Sequence, residues 1–101
     1  MIPSGFDPVI HAPLRLQLCA FLAPMEEAEL KTLREALGVS DSVLSKHLGQ
    51  LGEAGYVVLE GRNVAGRQRK WARLTGEGRR ALAGHIAALQ AIAAQAEGAP
   101  V

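Results

Sequence analysis

The amino-acid sequence predicts a mainly α-helical fold with one small β-hairpin, in which two helices joined by a short turn precede the hairpin and a long final helix. Residues 38–57, GVSDSVLSKHLGQLGEAGYV, combine a glycine turn, a serine at a helix start and leucines at helical spacing. Strand-forming residues replace this pattern after Gly55. Thr75 then precedes an Ala-rich segment whose apolar residues again recur at helical spacing. These three features predict the order of the elements.

The N-terminal part contains two proline signals. Asp7 followed by Pro8 is typical of an N-cap and a first helical position. Pro13 does not fit deep inside a helix, so we expect it either to kink this helix or to open a new one. An apolar stripe at helical spacing follows, formed by Leu14, Leu18, Phe21 and Leu22. Residues 27–30 fit either a brief strand or the first turn of the next helix.

Two helices joined by a glycine turn come next. We expect a helix over residues 31–37, ended by Gly38 in the left-handed conformation. Ser40 is the expected N-cap of the second helix, residues 40–54. Its inward-facing residues are Leu44, Leu48 and Leu51. A turn of about three residues containing glycine between two helices is typical of a helix-turn-helix motif.

The predicted hairpin begins the second half of the chain. Residues 56–60 and 68–75 are the expected strands, and the glycine-bounded sequence GRNVAG, residues 61–66, is the expected loop. Thr75 is placed to cap the long final helix. The apolar stripe of that helix is formed by Leu82, Ile86, Leu89 and either Ile92 or Ala93.

The composition is that of one small globular domain, which we predict to span residues 1–97 with a flexible tail over residues 98–101. Apolar residues make up 49% of the 101 residues and charged residues 21%. The net charge of +1 conceals a basic strip, since seven basic residues lie between Arg62 and Arg80 against Glu77 alone. Such clustering in a near-neutral protein favours a face that binds a polyanion.

Several classes of function are disfavoured by the sequence. The apolar runs are too short to cross a membrane, and the N-terminus lacks the pattern of a secretory signal, so we expect a cytoplasmic protein. The lone Cys19 and the widely spaced histidines predict no metal site and no cofactor. Neither a phosphate-binding glycine loop nor a catalytic triad pattern is present, which predicts that the protein is not an enzyme.

The sequence also resembles a known group of proteins. LSKHLGQLGEAGYV, residues 44–57, and RLTGEG, residues 73–78, are similar to motifs of small bacterial winged helix-turn-helix transcriptional regulators, relatives of the MarR and ArsR families. FDPVIHAPLRLQLCAFL, residues 6–22, resembles the first helix of a short subgroup, and the likeness extends from about Asp7 to Leu89. It implies a winged helix-turn-helix fold and a DNA-binding regulator, with a repressor role. Gly49 and Gly52 depart from the pattern, because such regulators usually carry helix formers there.

The resemblance implies that the helix over residues 40–54 reads the major groove of double-stranded DNA, and that a basic wing, residues 61–70, contacts the flanking DNA. A helix of about 11 Å diameter fits this groove, and the N-terminal part of the second helix of the motif faces the base edges. His47 is expected to be half-buried and Trp71 to be a core or interface aromatic. The expected DNA contacts are Ser40, Asp41, Ser42, Val43, Ser45, Lys46, Gln50, Arg62, Arg67, Arg69 and Lys70.

Apolar stripes on the first and last helices, which the motif itself does not need, favour a homodimer on a pseudo-palindromic operator. A small apolar effector is a further hypothesis, with a pocket lined by Leu18, Phe21, Leu22 and Leu89. The alternative function is a winged-helix module that binds an acidic protein partner, to which Asp41 and Glu53 lend some weight. The expected dimer contacts are Leu14, Leu18, Leu82, Ile86, Leu89 and Ile92.

Overall fold

The computed structural model describes residues 2–98, which form five helices and three strands. The helices are α1 Pro8–His11, α2 Pro13–Leu22, α3 Leu30–Leu37, α4 Asp41–Glu53 and α5 Gly76–Ala96; the strands are β1 Ala28–Glu29, β2 Val57–Val64 and β3 Arg67–Leu74. The strands form one antiparallel sheet in the order β1-β3-β2. The predicted winged helix-turn-helix with a long C-terminal helix is confirmed.

The two proline signals open separate helices. Asp7 caps α1, where its carboxylate accepts hydrogen bonds from the N–H groups of Val9 and Ile10 at 2.9 and 3.3 Å. Pro13 occupies the start of α2, so it opens a new helix instead of kinking the first. α2 ends at Leu22, two residues before Pro24. This short N-terminal pair packs against α4 and α5.

Both interpretations of residues 27–30 hold in part. Ala28 and Glu29 form a two-residue strand that pairs with Ala72 and Trp71 of β3, and α3 begins directly afterwards at Leu30. Gly38 ends α3 with φ 66°, as predicted. Ser40 caps α4 through its hydroxyl, which accepts from the Val43 N–H at 3.2 Å.

The predicted hairpin loop over residues 61–66 is wrong in its extent. β2 and β3 pair as far as Val64 with Arg67, so the loop is only Ala65 and Gly66. Both residues have positive φ, 52° and 80°, as a two-residue hairpin turn requires. The prediction placed the start of the loop at Gly61, because glycine is typical of loops. In the structure Gly61 lies within β2 and pairs with Lys70 of β3.

The base of the hairpin is tied to the start of α5. Thr75 caps α5 by accepting from the Gly78 N–H at 2.9 Å, and its hydroxyl donates to the Gly55 carbonyl at 2.7 Å. A Cβ added to Gly78 would lie 2.2 Å from the Tyr56 carbonyl oxygen, so only glycine fits there. Packing therefore requires the second glycine of the RLTGEG motif. Together with the hydrogen bonds of Thr75, it lets the start of α5 lie against the backbone that follows α4.

The core collects the inward leucines of four helices with residues of the sheet. Its buried members are Ile10, Leu18, Cys19, Leu22, Ala28, Leu33, Leu44, Leu48, Leu51, Val57, Ala72, Leu74 and Leu82. α5 extends past this core, and its residues 90–96 are all exposed. No helix in the described part of the chain is long and apolar enough to cross a membrane. The predicted tail lies mostly outside the described residues.

Candidate nucleic-acid interface

The outward face of α4 carries short polar and flexible side chains. Ser42, Val43, Ser45 and Lys46 are exposed, whereas the leucines of the same helix are buried. These four expected DNA contacts therefore lie on one surface. The other three expected contacts of this segment, Ser40, Asp41 and Gln50, have hydrogen-bond partners within the chain. The hydroxyl of Ser40 is used in the cap and lies 3.2 Å from the Ser42 hydroxyl. A helix face of this kind offers donors, acceptors and one methyl-bearing residue to a groove.

Asp41 is paired inside the chain. Its carboxylate accepts from Arg34 of α3 at 2.6 Å, and this pairing raises the pKa of Arg34. Because the guanidinium offsets the carboxylate charge, the repulsion that Asp41 would exert on a phosphate is reduced. Asp41 therefore joins the two helices of the motif and is not a free acceptor for a cytosine.

Gln50 also has an internal partner, which sequence reasoning missed. Its amide oxygen accepts from Arg15 Nη1 at 2.6 Å, and the same nitrogen lies 3.2 Å from His47 Nδ1. A glutamine reads adenine by accepting and donating at once, and the contact with Arg15 uses one of the two lone pairs of its amide oxygen and orients that oxygen toward α2. His47 is half-buried, as predicted, and burial followed by the charges of Arg15 and Lys46 lowers its pKa.

Arg62 does not lie free at the wing. It donates to both carboxylate oxygens of Glu27 at 2.6 Å and to Glu60 at 2.6 Å. Its guanidinium also lies 5.1 Å from the centre of the Trp71 ring. These hydrogen bonds lower the pKa of Glu27 and of Glu60 and raise that of Arg62. The donors of Arg62 therefore join β2 to the segment that leads into β1, and its contact with DNA stays a prediction.

Two more arginines of the basic strip lie near carboxylates, and a third is hydrogen-bonded to the backbone. Arg69 lies 3.5 Å from Glu29, and Arg73 lies 3.4 Å from Glu60. Arg79 donates to the carbonyl oxygens of Ala23 and Met25 at the end of α2, at 2.6 and 3.0 Å. The sequence shows the cluster of positive charge but not its counter-charges, because the acidic residues come from distant segments.

Two of the predicted wing contacts remain exposed without an ion pair. Within residues 2–98, Arg67 and Lys70 have no carboxylate oxygen within 4.0 Å. Arg67 follows the hairpin turn directly, and Lys70 lies three residues further along β3. At the tip of the wing, defined here as residues 64–70, Arg67 and Lys70 are therefore the cations without an ion pair in the described chain, whereas Arg69 lies beside Glu29.

Trp71 is half-buried beneath Arg62, which agrees with its predicted structural role. Its indole nitrogen is buried and, among the described residues, has no hydrogen-bond partner. The ring is covered by the guanidinium and is therefore not presented to a base. Its contribution is to support the outer face of the sheet.

The dimer contacts divide into two groups. Leu18 and Leu82 are 0% and 5% exposed and belong to the core of the single chain, which corrects their assignment to a dimer interface. Ile86 and Ile92 are 39% and 38% exposed, and Leu14 and Leu89 are half-buried. Of the residues expected to line an effector pocket, Leu18 and Leu22 are fully buried, whereas Phe21 and Leu89 are half-buried, and the effector stays a hypothesis.

The described residues contain no cluster of three or more His, Cys, Asp or Glu side chains that could hold a metal ion. Cys19 is buried, and burial raises the pKa of its thiol to about 11, so it stays protonated and unreactive near neutral pH. His85 is fully buried; its Nδ1 accepts from the Asp7 N–H at 2.9 Å. This hydrogen bond holds the N-terminal segment against α5.

Comparison with known proteins agrees with this architecture. The sequence profile of the winged helix DNA-binding domain matches residues 14–93. The chain is 30% identical over 78 residues to an uncharacterized protein of Methanocaldococcus jannaschii, covering 77% of this chain and 85% of that protein. These matches confirm the resemblance stated from the motifs.

Solved structures give the same result. A transcriptional regulator homologue from Pyrococcus horikoshii OT3 superposes with a TM-score of 0.79 at 24% identity, with 84% of each chain covered. The transcriptional repressor BigR from Xylella fastidiosa has a TM-score of 0.63 at 30% identity, covering 83% of this chain and 78% of its own. The chain belongs to the winged helix DNA-binding domain family.

Proposed function

We propose that this protein is a sequence-specific regulator of transcription, acting as a repressor, that places α4 in the major groove of double-stranded DNA. The observation that carries this proposal is the exposed face of α4, where Ser42, Ser45 and Lys46 surround Val43. Hydroxyl and ammonium groups pair with base edges and phosphates, and a valine methyl can pack against a thymine methyl. The repressor role is supported by the likeness to BigR, which is a transcriptional repressor.

The wing tip completes the proposed interface. Arg67 and Lys70 are exposed cations at the end of a two-stranded ribbon. Such groups bind the phosphate backbone or enter the adjacent minor groove, and they fix the orientation of the protein without reading sequence. Base selection on this proposal comes from α4, and a large part of the affinity comes from the wing.

The active form is proposed to be a homodimer on a pseudo-palindromic operator. Its support is the exposed apolar residues of α5, Ile86 and Ile92, on a helix whose last two turns extend beyond the core. Two copies joined through α5 would present two α4 helices to half-sites about one turn of DNA apart.

The test is fluorescence anisotropy with the DNA upstream of the protein's own gene and with a scrambled duplex of equal length, at several salt concentrations. We expect tight binding to the first duplex only, with a steep salt dependence. Lys46→Ala should weaken binding at least severalfold, whereas Lys31→Gln, a loss of charge at the start of α3, should not. Equal and weak binding to both duplexes would reject the proposal and would favour the acidic-partner alternative.

A further inference from the structure

Arg15 holds a fixed position between the N-terminal helices and α4. Its Nε donates to the Val9 carbonyl oxygen of α1, and its Nη1 donates to the Gln50 amide oxygen at 2.6 Å. The same Nη1 lies 3.2 Å from His47 Nδ1. Because arginine only donates, His47 Nδ1 accepts here and carries no proton. The guanidinium is thus held from three sides, by one residue of α1 and two residues of α4.

All three acceptors are neutral, so the charge of Arg15 is not compensated. Within residues 2–98 no carboxylate oxygen lies within 4.0 Å of its guanidinium. Four other arginines of the described chain do have carboxylate partners: Arg34, Arg62, Arg69 and Arg73. A half-buried cation that is oriented by neutral groups favours an anion from outside the chain.

The guanidinium also has donors to spare. An arginine carries five N–H groups, and the contacts of Arg15 with the described residues use those on Nε and Nη1. The two N–H groups of Nη2 have no acceptor in that part of the chain. These two N–H groups diverge from one nitrogen, and either can donate a charge-assisted hydrogen bond to a phosphate oxygen.

The groups around Nη2 of Arg15 add to its preference for an anion. Lys46 is exposed one residue before His47, and the charges of Arg15 and Lys46, after burial, lower the pKa of His47. Gln50 has its oxygen turned to Arg15, which leaves its amide nitrogen as a further donor. Positive and donor groups therefore meet on the side of α4 next to α2.

We propose that Arg15, aided by Lys46 and the amide nitrogen of Gln50, forms a binding site for one phosphodiester group of the DNA whose major groove α4 occupies. This inference rests on the proposed function. It gives Gln50 a backbone contact in place of adenine recognition. It also gives α2 a part in DNA binding that the sequence does not reveal.

The test combines Arg15 variants with duplexes in which a single phosphate is replaced by an uncharged methylphosphonate. The methylphosphonate is placed at each position of the operator in turn. At one position in each half-site it should weaken binding of the wild type roughly tenfold but leave binding of Arg15→Gln unchanged. Arg15→Gln should also flatten the dependence of log K on log salt by about 0.9 for each lost phosphate contact. Arg15→Lys keeps the charge and should keep most of that slope.

Lys31→Gln is the control, since it removes the same charge from an exposed residue outside the basic strip and should keep the wild-type slope. Circular dichroism and thermal melting establish that each variant is folded, and Arg15→Met, which also removes the charge, replaces Arg15→Gln if that variant is unfolded. The inference is overturned if wild type discriminates between operator and scrambled DNA while Arg15→Gln keeps its salt slope and its response to every methylphosphonate. Failure of wild type to discriminate would instead reject the proposed function.

Discussion

Arg62 of β2 donates to both carboxylate oxygens of Glu27, each at 2.6 Å, and thereby joins the wing to the segment that leads into β1. The same carboxylate occupies donors that a DNA phosphate would otherwise use. Glu27, together with Glu29 and Glu60, places negative charge along the outer face of the sheet. The wing is therefore held in shape by contacts that also reduce its positive potential.

From this pairing we expect Glu27→Gln to raise the affinity for DNA severalfold at low salt, because it removes one negative charge and releases part of the Arg62 guanidinium. Anisotropy titrations at about 50 and 200 mM salt would measure the change, which should shrink at the higher concentration. Glu97→Gln, at the far end of α5, is the matched control and should leave affinity unchanged. A loss of affinity in Glu27→Gln would mean that the position of the wing matters more than its charge.

The pH dependence of folding should report on His85. Its Nδ1 accepts from the Asp7 N–H, and its Nε2 lies 3.2 Å from His11 Nδ1. Burial, followed by the charge of His11, lowers the pKa of His85, whereas Asp7 acts in the opposite direction. The unfolded state therefore binds more protons than the folded state once the pH falls below the ordinary histidine pKa of about 6.5.

The stability that depends on His85 is therefore fully present above about pH 6.5 and is lost as the pH falls from there toward the lowered pKa of His85. His47, whose pKa is also lowered, acts in the same direction. Urea denaturation between pH 7.5 and 5.5 should show a decreasing free energy of unfolding. His85→Gln should be less stable at pH 7.5 but less sensitive to pH, and an equal pH response in wild type and His85→Gln would contradict this account.

Short sequence patterns such as helix caps predicted most of the fold, whereas contacts between residues far apart in the sequence were not predicted. Asp7, Ser40 and Thr75 each cap the helix expected, because capping depends on a side chain and backbone groups two or three residues away. The partners of Arg62 and Gln50 were not predictable in this way. They depend on a two-residue strand and on how α2 packs against α4, and neither leaves a periodic pattern in the sequence.

Gly78 should tolerate no side chain. The Cβ of Gly78→Ala would lie 2.2 Å from the Tyr56 carbonyl oxygen and 3.0 Å from the carbonyl carbon, both backbone atoms. Relieving this overlap requires α5 to move away from the helix-turn-helix, so we expect a loss of about 3 kcal/mol of stability. Chemical denaturation would measure it. Gly76→Ala, where the nearest atom is the flexible end of Arg80 at 3.4 Å, is the control and should be nearly neutral.

The proposed dimer makes a prediction for α5. Ile92 is 38% exposed in the single chain, and Ile92→Glu should abolish dimerisation without unfolding the domain, because it adds charge to an apolar contact surface. Multi-angle light scattering would measure the molar mass. Ala91→Glu adds the same charge at an exposed position about 100° around the helix from Ile92 and about 140° from Ile86, and it should remain dimeric. A wild-type protein that is monomeric at all concentrations would reject the dimer.

Gly49 lies in the interior of α4, and a Cβ added there would meet no atom of the described chain within 4 Å, so nothing within this part of the protein requires glycine. Gly49→Ala should therefore raise the stability by about 1 kcal/mol, since alanine loses less backbone entropy in a helix. Gly52→Ala, whose Cβ would meet only the Val57 carbonyl oxygen at 3.9 Å, should behave similarly.

The same substitution tests why a glycine stands on this face. If α4 lies in the major groove with Gly49 against DNA, Gly49→Ala should be more stable yet bind the operator more weakly, since the added methyl group separates the helix from the duplex. Thermal melting and anisotropy on one preparation would measure both quantities. If Gly49→Ala is more stable and binds with unchanged affinity, the groove leaves space for a methyl group at this position. The loss of binding in Lys46→Ala would then be the evidence that α4 contacts the DNA.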